Sequence, residues 1–178
     1  MDPSPHVMIL GIGCLLFSDE GFGVRVVQKL QERYEFPQNV SIIDGGVLGL
    51  QLLGVISEAD YLIVADVIRN KGKPGDLYRL EGDAIPERVR AKNSLHQVDF
   101  LEALTMCQAL DKVPETVILG VEPEDIDTLS IELTSTTQAK IDDIIQNVLT
   151  ELDQLKISYR KRNQHVSCDP FENCECSE

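Results

Sequence analysis

The chain has 178 residues, 43% hydrophobic and 26% charged, a balance that predicts one globular domain with a substantial hydrophobic core. Its formal net charge of −14 opposes binding to a phosphate backbone or an anionic membrane, so we expect neither nucleic acid nor membrane as a partner. No window approaches the roughly 20 apolar residues that span a bilayer, and residues 1–8 lack the features of a signal peptide, so we expect a cytoplasmic protein.

The first part of the chain alternates between strand and helix patterns. Residues 7–12 form a short apolar run that predicts a strand buried on both faces and followed by a tight glycine loop. Residues 21–34 repeat apolar side chains every four positions, which predicts an amphipathic helix. Further strands are predicted at 40–44 and 61–65, with a short helix at 48–56 between them.

The second part continues the alternation. A strand is predicted at 76–80, antiparallel at a sheet edge, and another at 116–121. A helix is predicted at 97–110, and the longest helix at 134–155, whose hydroxyl-rich start supplies capping groups. Strands that alternate with helices indicate right-handed crossovers onto a mainly parallel sheet, so the predicted class is α/β.

The pattern predicts a single α/β domain at 1–157 and a mobile, cysteine-containing tail at 158–178. The tail carries the side chains of a possible soft-metal cluster, although their spacing matches no standard zinc module: His165, Cys168, Cys174 and Cys176. With Cys14 and Cys107 the chain has five cysteines, an uneven set that does not indicate a disulfide framework.

Acidic residues follow three of the predicted strands. Glu20, beside Asp19, follows the first strand, Asp44 ends the second and Asp66 ends the third. Because ligands of open α/β sheets bind beyond the carboxyl ends of the strands, we expect these carboxylates to converge with His96. Glu20, Asp66 and His96 are the best trio for a divalent transition metal, with Asp44 as an orienting or acid–base group.

Each of these residues also has an ordinary structural interpretation. Glu20 could complement a helix dipole, and Asp44 could cap the turn at Gly45-Gly46. His96 could be a histidine at a helix start. Asp66 could cap the loop that follows it, but an acid directly after a fully apolar strand is costly unless it is paired or near solvent, which favours a site.

Two other chemistries have weaker support. The Gly11-x-Gly13 loop suggests a dinucleotide site, but the third glycine would fall at Leu16, and acidic residues stand where a pyrophosphate needs positive potential. No G-x-S-x-G elbow is present. A nucleophilic pair of Cys14 and His96 is conceivable, although a small, half-buried thiol in a turn is the favoured interpretation of Cys14.

Six segments, in order along residues 7–155, resemble motifs of the hydrogenase maturation proteases. One glycine motif would be weak support, whereas six ordered motifs are strong support. The segments are Gly11-Ile12-Gly13-Cys14-Leu15-Leu16-Phe17-Ser18-Asp19-Glu20-Gly21-Phe22-Gly23-Val24, Asp44-Gly45-Gly46-Val47-Leu48-Gly49, Ile63-Val64-Ala65-Asp66, Ser94-Leu95-His96-Gln97, Gly120-Val121-Glu122-Pro123-Glu124 and Leu133-Thr134.

The resemblance implies a three-layer sandwich, a twisted, mainly parallel sheet flanked by helices. It implies an endopeptidase, metal-directed and grouped with aspartic-type enzymes, that removes a C-terminal extension from the precursor of a nickel–iron hydrogenase large subunit. Glu20, Asp66 and His96 would bind the metal, and Asp44 and Asp66 would be catalytic. The nickel arrives with the precursor as the recognition handle. We expect a monomer without a tightly held organic cofactor, whose site other divalent ions can also occupy.

One departure from the family pattern is Cys14, which stands where the family usually has an asparagine. Two other functions are kept as alternatives. One is a non-catalytic module that binds nickel or the precursor without shortening it. The other is a small-molecule hydrolase or transferase that uses Cys14 and His96.

Overall fold

The architecture comes from a computed structural model that describes residues 4–47, 53–82 and 113–162. In chain order these residues form β1 (Val7–Ile12), a 3-10 helix (Ser18–Gly21), α1 (Phe22–Arg33), β2 (Tyr34–Glu35), β3 (Val40–Gly46), α2 (Leu53–Ile56), β4 (Tyr61–Val67), β5 (Leu77–Glu81), β6 (Glu115–Val121), α3 (Ser135–Gln138), α4 (Ile141–Gln154) and β7 (Arg160–Lys161). The helix predicted at 97–110, and the start of the one predicted at 48–56, lie outside the described residues.

The central sheet has the strand order β3-β1-β4-β6-β5. Its first four strands are parallel, and β5 runs antiparallel to β6 at the edge, as predicted. Gly11 of β1 pairs with Asp44 on one side and with Ala65 on the other. The carboxyl ends of β1, β3 and β4 therefore meet at one edge of the sheet, and the predicted α/β class is confirmed.

Strands buried on both faces explain the continuous apolar runs in the sequence. In β1, Val7 and Ile9 join the cluster formed with α1 and α4. The alternate residues Met8 and Leu10 join a second cluster that includes Ile56 of α2. The sheet is thus covered by helices on both faces, and α1 and α4 present their apolar stripes to the same side.

The helix predicted at 134–155 is wrong in one respect, because it is broken into α3 and α4. Thr134 caps α3 through its side chain, as predicted. Lys140, with φ −95° and ψ −5°, stands at the break before α4. Thr137 of α3 is held by the carboxylate of Asp19, whereas α4 packs its apolar stripe on the sheet core. The break allows the two segments to satisfy these separate constraints.

The folded chain continues beyond residue 157, where the domain was predicted to end. Residues 160 and 161 form β7, which pairs antiparallel with β2. Tyr159 packs against Tyr34 and Phe36, with ring centroids 5.9 and 6.2 Å away. Residues 158–162 therefore belong to the domain, while the rest of the predicted tail lies outside the described residues.

An ion pair between the half-exposed Arg79 and the buried Glu151 fastens α4 to the edge strand. Glu151 of α4 is only 4% exposed, and Arg79 of β5 donates to both of its carboxylate oxygens at 2.7 and 3.1 Å. A carboxylate this buried needs such a partner, and the planar guanidinium supplies two aligned donors. None of the helices in the described ranges is long and apolar enough to cross a membrane.

Candidate active site

Glycines bring the segment after β1 into backbone contact with the strand ends. At Gly13, where φ is +138°, a Cβ atom would lie 1.8 Å from the carbonyl oxygen of Glu20. At Gly23, in the first turn of α1, a Cβ atom would lie 2.1 Å from the carbonyl oxygen of Ala65. The glycines of the first motif therefore allow the 3-10 helix and α1 to pack on β1 and β4, a role that differs from phosphate binding.

This packing places Glu20 and Asp66 on adjoining elements at the carboxyl edge. Glu20 lies on the 3-10 helix, which contacts β4, and Asp66 is the residue after Ala65 in β4. Both side chains are only 7% exposed. One oxygen of Asp66 accepts a hydrogen bond from the amide of Val67 at 2.7 Å. Two nearly buried carboxylates at a strand-end site are oxygen ligands suited to a divalent cation.

Asp44 lies at the same edge but differs from the other two acids in its surroundings. It is exposed, and it stands at the end of β3 where the register with β1 shifts. Asp44 and Ala65 pair with opposite sides of Gly11, so their Cα atoms are separated by two strand spacings, about 10 Å. Among the described residues, no group forms a hydrogen bond with the Asp44 side chain.

The turn predicted after Asp44 is present, although among the described residues the Asp44 side chain does not cap it. Gly46 has φ +45°, a left-handed conformation that suits a turn, and its carbonyl accepts a hydrogen bond from the amide of Gly13 at 3.0 Å. This bond ties the end of β3 to the first glycine loop. The structure thus brings Asp44 to the edge of the site, and its catalytic role stays a prediction.

Asp19, which the sequence presents as one more acid after the first strand, has a structural role. Its side chain is fully buried. One carboxylate oxygen accepts from the amides of Glu124 and Asp125 at 2.9 and 3.0 Å, and the other from the amide of Thr134 at 2.8 Å. The hydroxyl of Thr137 completes the set. Asp19 therefore fastens the loop after β6 and the start of α3 to the 3-10 helix that carries Glu20.

Glu122 is a second buried acid at this edge, and sequence analysis did not name it as a site residue. It directly follows β6, is 7% exposed, and accepts hydrogen bonds from the amide of Asn70 and the hydroxyl of Tyr78, both at 2.8 Å. Burial, together with this carboxylate, raises the pKa of Tyr78 to about 12. The reasoning that singled out Asp66, an acid directly after an apolar strand, would also have found Glu122.

The third predicted metal ligand, His96, lies outside the described residues, as do the cysteines of the tail. Within residues 4–47, 53–82 and 113–162, no three His, Cys, Asp or Glu side chains form a group that could hold a metal ion. Cys14 is a half-buried free thiol in the loop after β1. The trio of Glu20, Asp66 and His96 and the alternative pair of Cys14 and His96 therefore stay predictions.

Comparison with known proteins adds an independent line of support. A family model described as hydrogenase maturation protease matches residues 24–151. The hydrogenase expression/formation protein HupD of Thiocapsa roseopersicina is 36% identical over 96% of this chain and 78% of its own length. The hydrogenase 2 maturation protease of Escherichia coli is 36% identical over 83% of this chain and 90% of its own length.

A solved structure shows the same architecture. The hydrogenase maturating endopeptidase HybD from E. coli superposes with a TM-score of 0.85 at 34% sequence identity, covering 88% of this chain and 98% of that protein. The fold, the order of the sequence motifs and the family model therefore agree.

Proposed function

The chain belongs to the hydrogenase maturation protease family, and from that premise we propose that it removes the C-terminal extension from the nickel-loaded precursor of a nickel–iron hydrogenase large subunit. The observation that carries the proposal is the pair of nearly buried carboxylates, Glu20 and Asp66, on adjoining elements at the carboxyl edge of the sheet. The similarity to the hydrogenase 2 maturation protease and to the superposable maturating endopeptidase HybD supports the reaction class.

The nickel is part of the substrate in this proposal. It reaches the enzyme bound to the precursor, where Glu20, Asp66 and His96 complete its coordination. Carboxylate oxygens and an imidazole nitrogen are suitable ligands for such a divalent ion. This coordination explains why the enzyme would select the nickel-loaded precursor, because an unloaded precursor offers no ion for the three side chains to bind. Binding of the ion also fixes the adjacent peptide bond, and positioning of this kind lowers a reaction barrier substantially.

Hydrolysis adds water across the scissile amide, so that the C–N bond breaks, the carbonyl carbon gains a hydroxyl and the released nitrogen gains a proton. Asp44 is the proposed proton acceptor for the attacking water, because its carboxylate is exposed at the site edge and has no hydrogen-bond partner among the described residues. The Cα atoms of Asp44 and Ala65 are about 10 Å apart, with Gly11 of β1 between them, so Asp44 approaches the site from the β3 side and Asp66 from the β4 side. Direct attack by a carboxylate is the other route, and it predicts a covalent intermediate.

The test is the intact mass of a nickel-loaded precursor after incubation with the wild type and with Glu20→Gln, Asp66→Asn, His96→Ala and Asp44→Asn. The wild type should release a C-terminal peptide. Glu20→Gln, Asp66→Asn and His96→Ala should lose both cleavage and tight binding of the loaded precursor. Asp44→Asn should lose cleavage and retain binding. Glu58→Gln, an exposed position before β4 at the opposite edge, is the matched control and should behave as wild type.

Each alternative function has a distinct outcome in the same experiment. An unchanged precursor mass with tight wild-type binding would replace the protease by a non-catalytic binding module. Equal cleavage by His96→Ala would keep the protease and remove His96 from the metal ligands. Gel filtration and cell fractionation test two further proposals, that the enzyme acts as a monomer and in the cytoplasm.

A further inference from the structure

A group of exposed apolar side chains lies next to the candidate active site. Leu16, Phe17, Leu129 and Ile131, here called the apolar patch, are 57%, 39%, 75% and 65% exposed. Among the described residues only eight large apolar side chains are exposed, so half of them lie in this one place. The other four are dispersed: one directly follows β3, one lies in α2, one in β5 and one in the segment before β6. Clustering of this kind is typical of an interaction surface.

The backbone beneath the apolar patch is held by hydrogen bonds. Phe17 and Ser130 form a parallel β-bridge, in which the amide of Ser130 donates to Leu16 at 3.0 Å and the amide of Ser18 donates to Ser130 at 2.8 Å. Leu16 precedes Phe17 in this bridge, and Leu129 and Ile131 flank its partner Ser130. Hydrogen bonds therefore already order the backbone that carries these exposed side chains. A partner can bind them without the entropic cost of ordering this segment.

The apolar patch is continuous with the element that carries a proposed metal ligand. The amide of Glu20 donates to the carbonyl of Phe17 at 2.9 Å. Phe17 of the patch therefore directly precedes the 3-10 helix and is bonded to it. On the other side, Asp19 fastens the segment between β6 and α3, which carries Leu129 and Ile131. The apolar patch therefore borders the element that carries Glu20.

Charges around the apolar patch restrict its partner. Glu124, Asp127 and Glu132, here called the acidic rim, are exposed on the same segment as Leu129 and Ile131. The guanidinium of Arg25 donates to the carbonyl of Ile131 at 3.0 Å, so one base lies beside the three acids, and the chain as a whole has a net charge of −14. A second copy would bring two acidic rims together, and an anionic membrane would repel the same rim. The complementary partner is an apolar peptide segment with basic residues beside it.

We propose that the apolar patch is the docking surface for a segment of the precursor polypeptide that pairs apolar residues with flanking basic residues. This inference rests on the proposed function for the identity of the partner. The apolar side chains supply affinity, and the acidic rim guides the basic residues and fixes the register of the segment relative to the nickel site. The patch thus contributes a second, metal-independent contact with the substrate.

The test compares Leu129→Ser/Ile131→Ser with Val113→Ser, an apolar residue that is 50% exposed and lies before β6 at the opposite edge. For the nickel-loaded precursor, we expect the double variant to raise KM about ten-fold or more, with kcat within about two-fold of wild type. Val113→Ser should match wild type in both constants. Far-UV circular dichroism verifies folding, and exposed substitutions of this kind leave stability nearly unchanged.

A direct binding assay separates failure of this inference from failure of the proposed function. If the wild type cleaves and the double variant has the wild-type KM, the docking surface is overturned and the protease stands. If the wild type does not cleave, the Kd of the precursor is measured by biolayer interferometry. A Kd about ten-fold higher for the double variant than for the wild type supports the docking surface, and an equal Kd overturns it.

Two further measurements test the choice of partner. Replacement of the rim by Glu124→Gln/Asp127→Asn/Glu132→Gln should slow association with the precursor and weaken its salt dependence, and an unchanged salt dependence would overturn the basic character of the segment. Sedimentation velocity and phosphatidylcholine vesicles test other occupants. A dimer or vesicle binding that disappears in Leu129→Ser/Ile131→Ser would assign the patch to that occupant and overturn the proposal.

Discussion

The buried carboxylate of Asp19 accepts hydrogen bonds from both the amide and the hydroxyl of Thr134, which is 115 residues farther along the chain. The contact joins the 3-10 helix to the start of α3. Because Glu20 is the next residue on that helix, the position of a proposed metal ligand depends on a bond made from the other end of the domain.

Asp19→Asn should destabilise the fold by roughly 2–4 kcal/mol, since an amide has one acceptor oxygen and directs its NH₂ group at donors that the carboxylate satisfied. Urea unfolding followed by circular dichroism measures the loss as a lower midpoint. Asp127→Asn, an exposed position in the same loop region, should change stability by less than about 0.5 kcal/mol. Equal midpoints for the two variants would contradict the structural role of Asp19.

Gly23→Ala and Gly54→Ala should have effects of opposite sign. A Cβ atom at Gly23 would lie 2.1 Å from a backbone oxygen, so the substitution should cost roughly 2 kcal/mol or more. At Gly54 a Cβ atom would meet no other described part of the chain within 4 Å beyond its own helix turn, so alanine should be neutral or stabilise by up to about 1 kcal/mol. Thermal unfolding of both variants checks this. A Gly23→Ala protein as stable as wild type would mean that α1 and β4 are farther apart than described.

Tyr78 should titrate far above an ordinary tyrosine, because burial and the carboxylate of Glu122 raise its pKa to about 12. The folded-state pKa lies above the unfolded value of about 10, so the associated stability is complete below about pH 10 and is lost as the pH rises towards 12. Ultraviolet difference titration of wild type against Tyr78→Phe isolates the group. A component at about pH 10 in that difference would refute the buried contact with Glu122.

Cys14→Ser and Cys14→Asn should both retain processing activity, with kcat/KM within about three-fold of wild type. The half-buried thiol lies in a turn, and asparagine restores the residue that the family usually carries there. Cleavage of the nickel-loaded precursor by each variant, followed by intact mass, provides the measurement. Loss of activity by orders of magnitude in both variants would support the alternative nucleophilic pair of Cys14 and His96.

Much of the fold followed from local pattern. The strands at 7–12, 61–65 and 116–121 were predicted because a strand buried on both faces has a continuous apolar run. The break between α3 and α4 was missed, because the apolar period continues across it and the bonds from Asp19 to Thr134 and Thr137 come from a distant part of the chain.

The sequence by itself determined that the sheet is mainly parallel, that acids stand at the carboxyl ends of three of its strands and that the chain resembles a family of maturation proteases. These features depend on periodicity and residue order, which are properties of the linear chain. Only the tertiary structure distinguished the surroundings of the individual acids. Asp19 is fully buried and bonded, Glu20 and Asp66 are nearly buried at the sheet edge, and Asp44 is exposed. Burial and hydrogen bonding depend on contacts between residues far apart in the chain, so the same residue type acquires different chemistry only after folding.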